Sequence, residues 1–525
     1  MSSPSPASDS TESEFRHQDD NPDEKSPFPI NKLPLELLAQ ILVLWSYSDD
    51  DAPWMAAAVC HHWRNVALTT NKLWGRIMLN LVPDEEIEPE WADEETLTQK
   101  ASPRGKRRPY ALWFQRAHDT DITLHITALS SFPRINIELY HIMSGMQSRV
   151  ADLRRLTLSV ESNLLADVAL SILFDGCNDG YHLDYLEIEV SEKRVPKAYR
   201  IPSTTEDTVL DDFWDYAPPA KTLAFRGCLP RRSSPGIAAQ THTLILENVP
   251  LDPKRFIGEM SGFTSLRSLS LDGETYVGDS TTLPPQPMTL NHLTNLSIHR
   301  IDTTFCSSVF QHLTTPQLVS LSIRNGGLKE LRTIWGNGGA TESWFDCMAP
   351  FSMALEAFVR RSPVLRSLNL DRCPIDDKHL LNILQAAPEL QTLRMVFLLV
   401  GYPTMRGLTP YPSRDNSTSE VICPRLQHLV LENCDSIEKD HLLELLRARC
   451  RKKPPFGCDV ITDVTVFGCE KLIGLEAEVM ARLGPARPHV TVVELVRDHL
   501  HRIYSSCSHC DHDSVEGRSQ DSLLR

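Results

Sequence analysis

The chain has 525 residues, with 53 Lys and Arg against 69 Asp and Glu and a formal net charge of -16. This length suits three to four domains or one long repeat array at roughly 150 residues per domain, and 41% hydrophobic content excludes wholesale disorder. The acidic balance argues against sequence-independent binding to nucleic-acid phosphates or anionic lipid, and the longest apolar runs, such as 37–45 and 395–400, fall well short of the ~20 residues of a membrane span.

The acidity is uneven. Residues 1–30 carry Asp9, Glu12, Glu14, Asp19, Asp20, Asp23 and Glu24 against Arg16 and Lys25, a balance of -5. Rich in Ser, Pro and Asp, residues 1–27 bury too little to offset their ordering entropy and read as a disordered acidic arm. No charged leader followed by an apolar stretch is visible, and thirteen cysteines, an odd number, read as reduced thiols of a cytoplasmic or nuclear protein.

Residues 30–77 form a small helical unit by periodicity. Asn31 is a candidate N-cap and Pro34 suits a first helical turn, where a missing N–H costs nothing. Leu37, Leu38, Ile41, Leu42 and Trp45 recur at helical spacing, and Leu35 and Leu44 widen the apolar stripe beyond what one small core requires. An Asp-rich turn and Pro53 start a second helical region with Val59, Trp63, Val66 and Ala67 on its apolar face, and Leu73 and Trp74 close the unit. A unit this small buries a low fraction of its surface, so its surplus apolar face calls for a partner or for docking on the rest of the chain.

Three blocks in this unit, Leu33-Pro34-x-Glu36-Leu37-Leu38-x-x-Ile41-Leu42, Val59-Cys60-x-x-Trp63-Arg64 and Leu73-Trp74, resemble the F-box motif in spacing and order. The resemblance covers about a tenth of the chain. It implies binding to a Skp-type adaptor, and through it to a cullin–RING ubiquitin ligase. Carried over by position, the adaptor-binding residues are Leu33, Pro34, Glu36, Leu38, Ile41, Leu42, Val59, Cys60, Trp63, Leu73 and Trp74. The sequence departs from the family where leucines usually precede the Val-Cys pair. Here Trp54-Met55-Ala56-Ala57-Ala58 stand instead, which either weakens adaptor binding or repacks around Trp54.

Residues 82–95 hold eight acidic residues and no basic one, so this stretch and the arm account for -13 of the net charge. The basic run Arg104, Lys106, Arg107 and Arg108 follows, and the acidic-then-basic pattern predicts a charged linker over 79–109.

From residue 110 the pattern L-x-x-L-x-L recurs, beginning at Leu153, Leu183, Leu266, Leu293, Leu318, Leu365, Leu390 and Leu426, with weaker copies around Leu223, Leu244, Val464 and Val490. Steps of 25, 27 and 25 residues separate Leu244, Leu269, Leu296 and Leu321, within the roughly 20–29 of a leucine-rich repeat. The longer step from Leu321 to Leu368 implies an inserted loop or an unrecognised copy. Cys228, Cys373, Cys434 and Cys469 each stand three residues after the last apolar position, the slot where a small inward side chain satisfies loop backbone groups. They need neither metal nor disulfide. Residues 113–126 are expected to form the first strand, and helices are expected after Ser352, Asp377 and Asp440.

This region resembles the repeat arms attached to F-boxes. The expected fold is thus an α+β multi-domain chain: a small three-helix F-box over 28–78, then an irregular α/β leucine-rich repeat solenoid over 110–500 and a disordered tail over 501–525. Residues between inward leucines face outward on the concave sheet of such a solenoid. They include Tyr185, Glu187, Ser268, Ser270, Asn295, Ser297, His299, Arg324, Asn369, Arg394, His428 and Glu432, of which Tyr185, His299, Arg324, Asn369, Arg394, His428 and Glu432 are the candidates for target contact. The mixed polar surface favours a protein target over nucleic acid. An insertion at 401–420 reads as a loop or a lip over that face.

No catalytic constellation stands out. The glycine-rich stretch at Trp335 lacks the Lys-Ser/Thr ending of a phosphate loop, and Cys507, His509, Cys510 and His512 lack a second ligand pair at zinc spacing. The expected function is a non-catalytic substrate-recognition subunit without cofactor, which joins an unknown protein target to a ubiquitin ligase. The alternative is a scaffold that binds partners without ligase activity.

Overall fold

The computed structural model describes residues 33–81, 110–129, 133–175, 181–191, 209–210, 213–230, 235–249, 253–273, 287–325, 341–410, 421–450, 458–483 and 488–493. The acidic arm, the acidic and basic runs of the linker, the glycine-rich stretch at Trp335 and the Cys/His tract at 507–512 lie outside these residues. The chain divides into two compact units, one ending at Arg76 and including residues 116–120, the other holding the remainder.

The first unit contains α1 (Leu35–Ser46), α2 (Ala52–Val59), α3 (His61–Thr69) and a closing 3-10 turn, Asn71–Trp74. Pro34 stands at the N-cap of α1 and Pro53 in the first turn of α2, positions where an absent N–H breaks no helical bond. The second helical region is two helices rather than one. Cys60 is extended (φ -156°, ψ 173°), and its thiol accepts the Trp63 N–H at 3.5 Å, so it ends α2 and caps α3. Leu38, Leu42, Ala52, Ala56, Val66, Ala67, Leu73 and Trp74 make the core. The Trp74 indole N–H donates to the Ala67 carbonyl at 2.7 Å, and Trp54 packs edge-on against it at 5.1 Å between centroids. Ahead of the Val-Cys pair, Ala56 lies against the core beside Ala52, and Trp54 supplies the bulk, while Ala58 is exposed.

The second unit is built on a 14-stranded sheet whose strands follow one another in chain order. These are β1 (Arg76–Asn80), β2 (Ile122–Ala128), β3 (Leu153–Val160), β4 (Leu183–Val190), β5 (Ala220–Arg226), β6 (Thr243–Glu247) and β7 (Ser268–Asp272), then β8 (Asn295–His299), β9 (Ser320–Arg324), β10 (Ser367–Asp371), β11 (Thr392–Val396), β12 (His428–Glu432), β13 (Asp463–Phe467) and β14 (His489–Val493). From β2 onward every neighbouring pair is parallel. Parallel neighbours need a crossover between them, and helices such as Asn163–Phe174, Thr303–His312 and Lys439–Arg449 supply it. A small helical unit is therefore followed by a parallel sheet with crossover helices, an α/β solenoid-like arrangement.

The register explains the leucine spacing. Leu156, Leu186, Leu223, Leu244, Leu269, Leu296, Leu321, Leu368, Leu393, Leu429 and Val464 stand in one column across the sheet. A second column runs two residues further along each strand, and from Leu156 to Val466 no member of either column is more than 2% exposed. Because β9 pairs directly with β10, the long step from Leu321 to Leu368 is an insertion, and it carries the helix Thr341–Arg360.

Eight rungs end in a repeated turn. Two residues past the second column, Gly227, Asn248, Gly273, Arg300, Arg372, Phe397, Asn433 and Gly468 all have positive φ. In this left-handed conformation each N–H reaches the last carbonyl of the next strand, as in Gly227 to Glu247 at 2.9 Å and Asn433 to Phe467 at 2.8 Å. The next residue turns inward. The thiols of Cys228, Cys373, Cys434 and Cys469 donate to the carbonyls of Ile188, Ile323, Met395 and Leu431 on the preceding rung at 3.7, 3.7, 3.5 and 3.8 Å. Burial raises the pKa of all four, that of Cys434 to about 12.

Three local expectations are corrected. Residues 113–126 do not make one strand: Tyr110–Arg116 is a helix whose face buries Trp113 and Phe114, and the strand occupies Ile122–Ala128. Residues 79 and 80, expected as linker, belong to β1, where Ile77 is fully buried. The insertion at 401–420 opens with a helix, Tyr402–Leu408, capped by Asp377, whose Oδ1 accepts the N–H groups of Gly401 and Thr404 at 2.9 and 3.1 Å; residues 411–420 lie outside those described.

Candidate binding surfaces

The sequence-derived adaptor residues of the first unit sort into two groups. Leu38, Leu42, Leu73 and Trp74 are fully buried and hold the helices together, while Leu33, Cys60 and Trp63 are half-buried. Pro34, Glu36, Ile41 and Val59 are exposed. At 100° per residue, Leu37, Ile41 and Leu44 fall on one stripe of α1, pointing away from the core-facing Leu38, Leu42 and Ser46. Leu44 is 67% exposed and Val59 58%, and Tyr47 and Met55 add further uncovered apolar surface. Motif carry-over passed over Leu37, Leu44, Tyr47 and Met55. The helical spacing already included Leu37, and the excess width of the α1 stripe was the signal that marked Leu44.

On the second unit, strand alternation places the outward candidates on the face opposite the leucine columns. His299, Arg324, Asn369, Arg394 and Glu432 come together around one cleft of about 390 Å³ over β8 to β12. Tyr185 and His428 stand outside it. Tyr185 belongs to a cluster on β4 and β5, where its hydroxyl donates to Glu187 at 2.8 Å and Arg226 pairs with Glu187 at 2.7 Å. Burial and that carboxylate push the Tyr185 hydroxyl up to about 12. Glu187, expected on the open face, is covered by these neighbours. His428 pairs with Asp463 of the next strand at 2.9 Å.

The cleft's charges are arranged through Asp371 and Glu432. Asp371 meets Arg324 Nε at 3.0 Å and Arg372 Nε at 3.7 Å. Burial raises its pKa, opposed by Arg372, Arg324 and Arg394. Glu432 holds Arg394 in a fork, accepting from Nε at 3.0 Å and Nη2 at 2.9 Å, and this raises the guanidinium's pKa. The Arg372 guanidinium lies 5.0 Å from the centre of the Phe397 ring. On the floor, Asn369 donates through Nδ2 to Ser322 at 3.0 Å, and Ser297 and His299 Nε2 are 2.9 Å apart. Sequence reasoning missed Asp371, Arg372 and Phe397. Arg372 and Phe397 sit in the left-handed exit turns beyond the alternating strand positions, which is why a period-two reading passes over them.

Among the described residues, no group of three or more His, Cys, Asp or Glu side chains could hold a metal ion, and no helix is long and apolar enough to cross a membrane.

Comparison with known proteins reaches the first unit. Residues 30–80 match the F-box-like family, so the chain carries an F-box-like domain there. No curated protein matches the chain. Among solved structures, the complex of Rad7 and Elc1 in yeast is similar at 14% identity, over 72% of this chain and 75% of that one, with a TM-score of 0.31. A likeness of that size carries no argument.

Proposed function

We propose that the protein is a non-catalytic recognition subunit of a ubiquitin ligase. Its F-box-like domain binds a Skp-type adaptor and, through it, a cullin–RING assembly, while the outward face of the leucine-patterned sheet holds a protein target. The observation that carries this reading is the uncovered stripe Leu37, Ile41 and Leu44 on an otherwise well-packed F-box-like domain. Burying such a patch against a partner is worth about 25 cal/mol per Å² of apolar surface. On this reading Leu38, Leu42, Leu73 and Trp74 fix the shape of the docking unit, and the exposed residues make the contact. The chain itself makes no bond; it raises the local concentration of target lysines at the ligase.

Proximity labelling with the full-length protein tests both halves. Wild type is expected to label a Skp-type adaptor and at least one protein whose level rises when cullin activity is inhibited. A Leu33→Ala/Pro34→Ala variant is expected to lose the adaptor and keep the target. Labelled partners that are all indifferent to cullin inhibition would instead favour a scaffold without ligase activity.

A further inference from the structure

We infer that the cleft over β8 to β12 is a receptor for a single carboxylate side chain, Asp or Glu, presented by a peptide segment of the target. This deepens the target-holding role proposed above and rests on it. Three guanidinium groups, Arg324, Arg372 and Arg394, converge on a cleft that contains two carboxylates, Asp371 and Glu432. One positive charge is left over. The carboxylates act as positioners: Asp371 holds Arg324 at its Nε edge and Glu432 locks Arg394 in a fork, so the arginines are oriented before any ligand arrives. Among the described residues, the terminal nitrogens of Arg324 carry no hydrogen bond, and Arg394 keeps Nη1 beyond its fork with Glu432. These are donors in the planar geometry that suits a carboxylate.

The floor supplies a second, independent observation. The Asn369 amide donates to Ser322, and its Oδ1, like Oδ1 of the neighbouring Asp371, is buried without a hydrogen-bond partner. A buried acceptor left in that state is costly. A peptide backbone N–H laid across the rungs satisfies it, which a free small anion cannot do. The unpaired acceptor beside the surplus cation therefore points to a peptide carrying an acidic side chain. The size of the charge selects the carboxylate. One negative charge neutralises the cleft, whereas a phosphate dianion leaves it net negative next to Asp371, whose own ionised form is already disfavoured by burial.

The test measures fluorescence anisotropy of the full-length protein with three pools of labelled peptides. Each pool is degenerate except for a fixed central Glu, Gln or phosphoserine. The Glu pool is expected to bind about tenfold more tightly than the Gln pool, the scale of one charge-assisted contact. The preference should shrink between about 50 mM and about 300 mM salt as the charges are screened. Arg324→Ala/Arg394→Ala should erase it, Arg154→Ala outside the cleft should not, and Glu432→Gln, which adds one net positive charge, should widen it. Widening is an effect that a damaged fold does not produce. Equal binding of the Glu and Gln pools, a phosphoserine pool that outbinds Glu, or no widening with Glu432→Gln would overturn the inference. Adaptor titration on the same samples reads the F-box function separately, so the two can fail independently.

Discussion

Arg449, fully buried, is the clearest place to test the packing account. It sits at the end of the helix Lys439–Arg449 and points its guanidinium at three backbone carbonyls. Nε and Nη2 donate to Leu408 at 3.1 and 3.0 Å, Nη1 to Cys423 at 2.9 Å, and Nη2 also to Ile422 at 2.7 Å. One side chain thus ties the chain before and after residues 411–420. Burial lowers the pKa of Arg449, yet an arginine keeps its charge in a protein. Arg449→Met keeps most of the side-chain volume and leaves three carbonyls without these donors. Hydrogen bonds from a charged donor are worth about 1.5–3 kcal/mol each, partly recovered as the carbonyls relax toward water, so the expected loss is about 3–5 kcal/mol. Arg449→Lys keeps a charge but cannot span the carbonyls with a planar fork, and should lie between Met and wild type. Urea unfolding of the full chain, followed by far-UV circular dichroism, measures this as a fall in midpoint. A Met variant within about 0.5 kcal/mol of wild type, the range of an unremarkable surface change, would refute the clamp.

Further outcomes follow from the same geometry. Gly227→Ala should cost about 2 kcal/mol or more in the same unfolding assay, because φ is +70° there and the new Cβ would stand 2.4 Å from the Val190 carbonyl oxygen; a neutral result would contradict the tight exit turn. The Cys434 thiol, about 9 when unfolded and pushed up to about 12 by burial, stabilises the fold as a neutral group. Its contribution is complete below about pH 9 and is lost as the pH climbs through about 12, so wild type should lose more stability between about pH 8 and about pH 10.5 than Cys434→Ser does. Leu38→Ala, deep in the first unit, should cost about 2–5 kcal/mol, while Ile41→Ala on the uncovered stripe should leave stability within about 0.5 kcal/mol and act on adaptor binding instead.

Much of the sheet was legible because one-sided burial stamps a period of two on each strand and the crossover length fixes the repeat. That is why Leu244, Leu269, Leu296 and Leu321 could be aligned by spacing alone. The inward cysteines were legible for a related reason: only a small side chain fits beneath the exit turn. Other features were hidden because they depend on contacts distant in sequence. Arg324 meets Asp371 across an intervening stretch of more than forty residues, and nothing in the spacing from Leu321 to Leu368 shows that the two strands are neighbours. Strand Arg76–Asn80 carries Ile77, Met78 and Leu79 in succession, so it shows no alternation of apolar and polar residues. Arg449 looks like an ordinary charged residue at a helix end, and only the fold reveals the carbonyls around it. The left-handed turns at Arg300, Arg372 and Phe397 run against local preference, since only glycine adopts that conformation without cost. In the first unit the motif falls on the helices, but only burial separates Leu38, which packs the core, from Ile41, which faces solvent.

The central claim is adaptor capture by the uncovered stripe of the F-box-like domain. It is tested most directly by calorimetric titration of the full-length protein with a purified Skp-type adaptor, comparing wild type with Leu37→Ser/Ile41→Ser/Leu44→Ser. Wild type is expected to form a one-to-one complex and the variant to bind at least a hundredfold more weakly, about 2.7 kcal/mol, at unchanged helix content. A wild-type protein that ignores the adaptor, or a triple variant that binds it equally well, would contradict it.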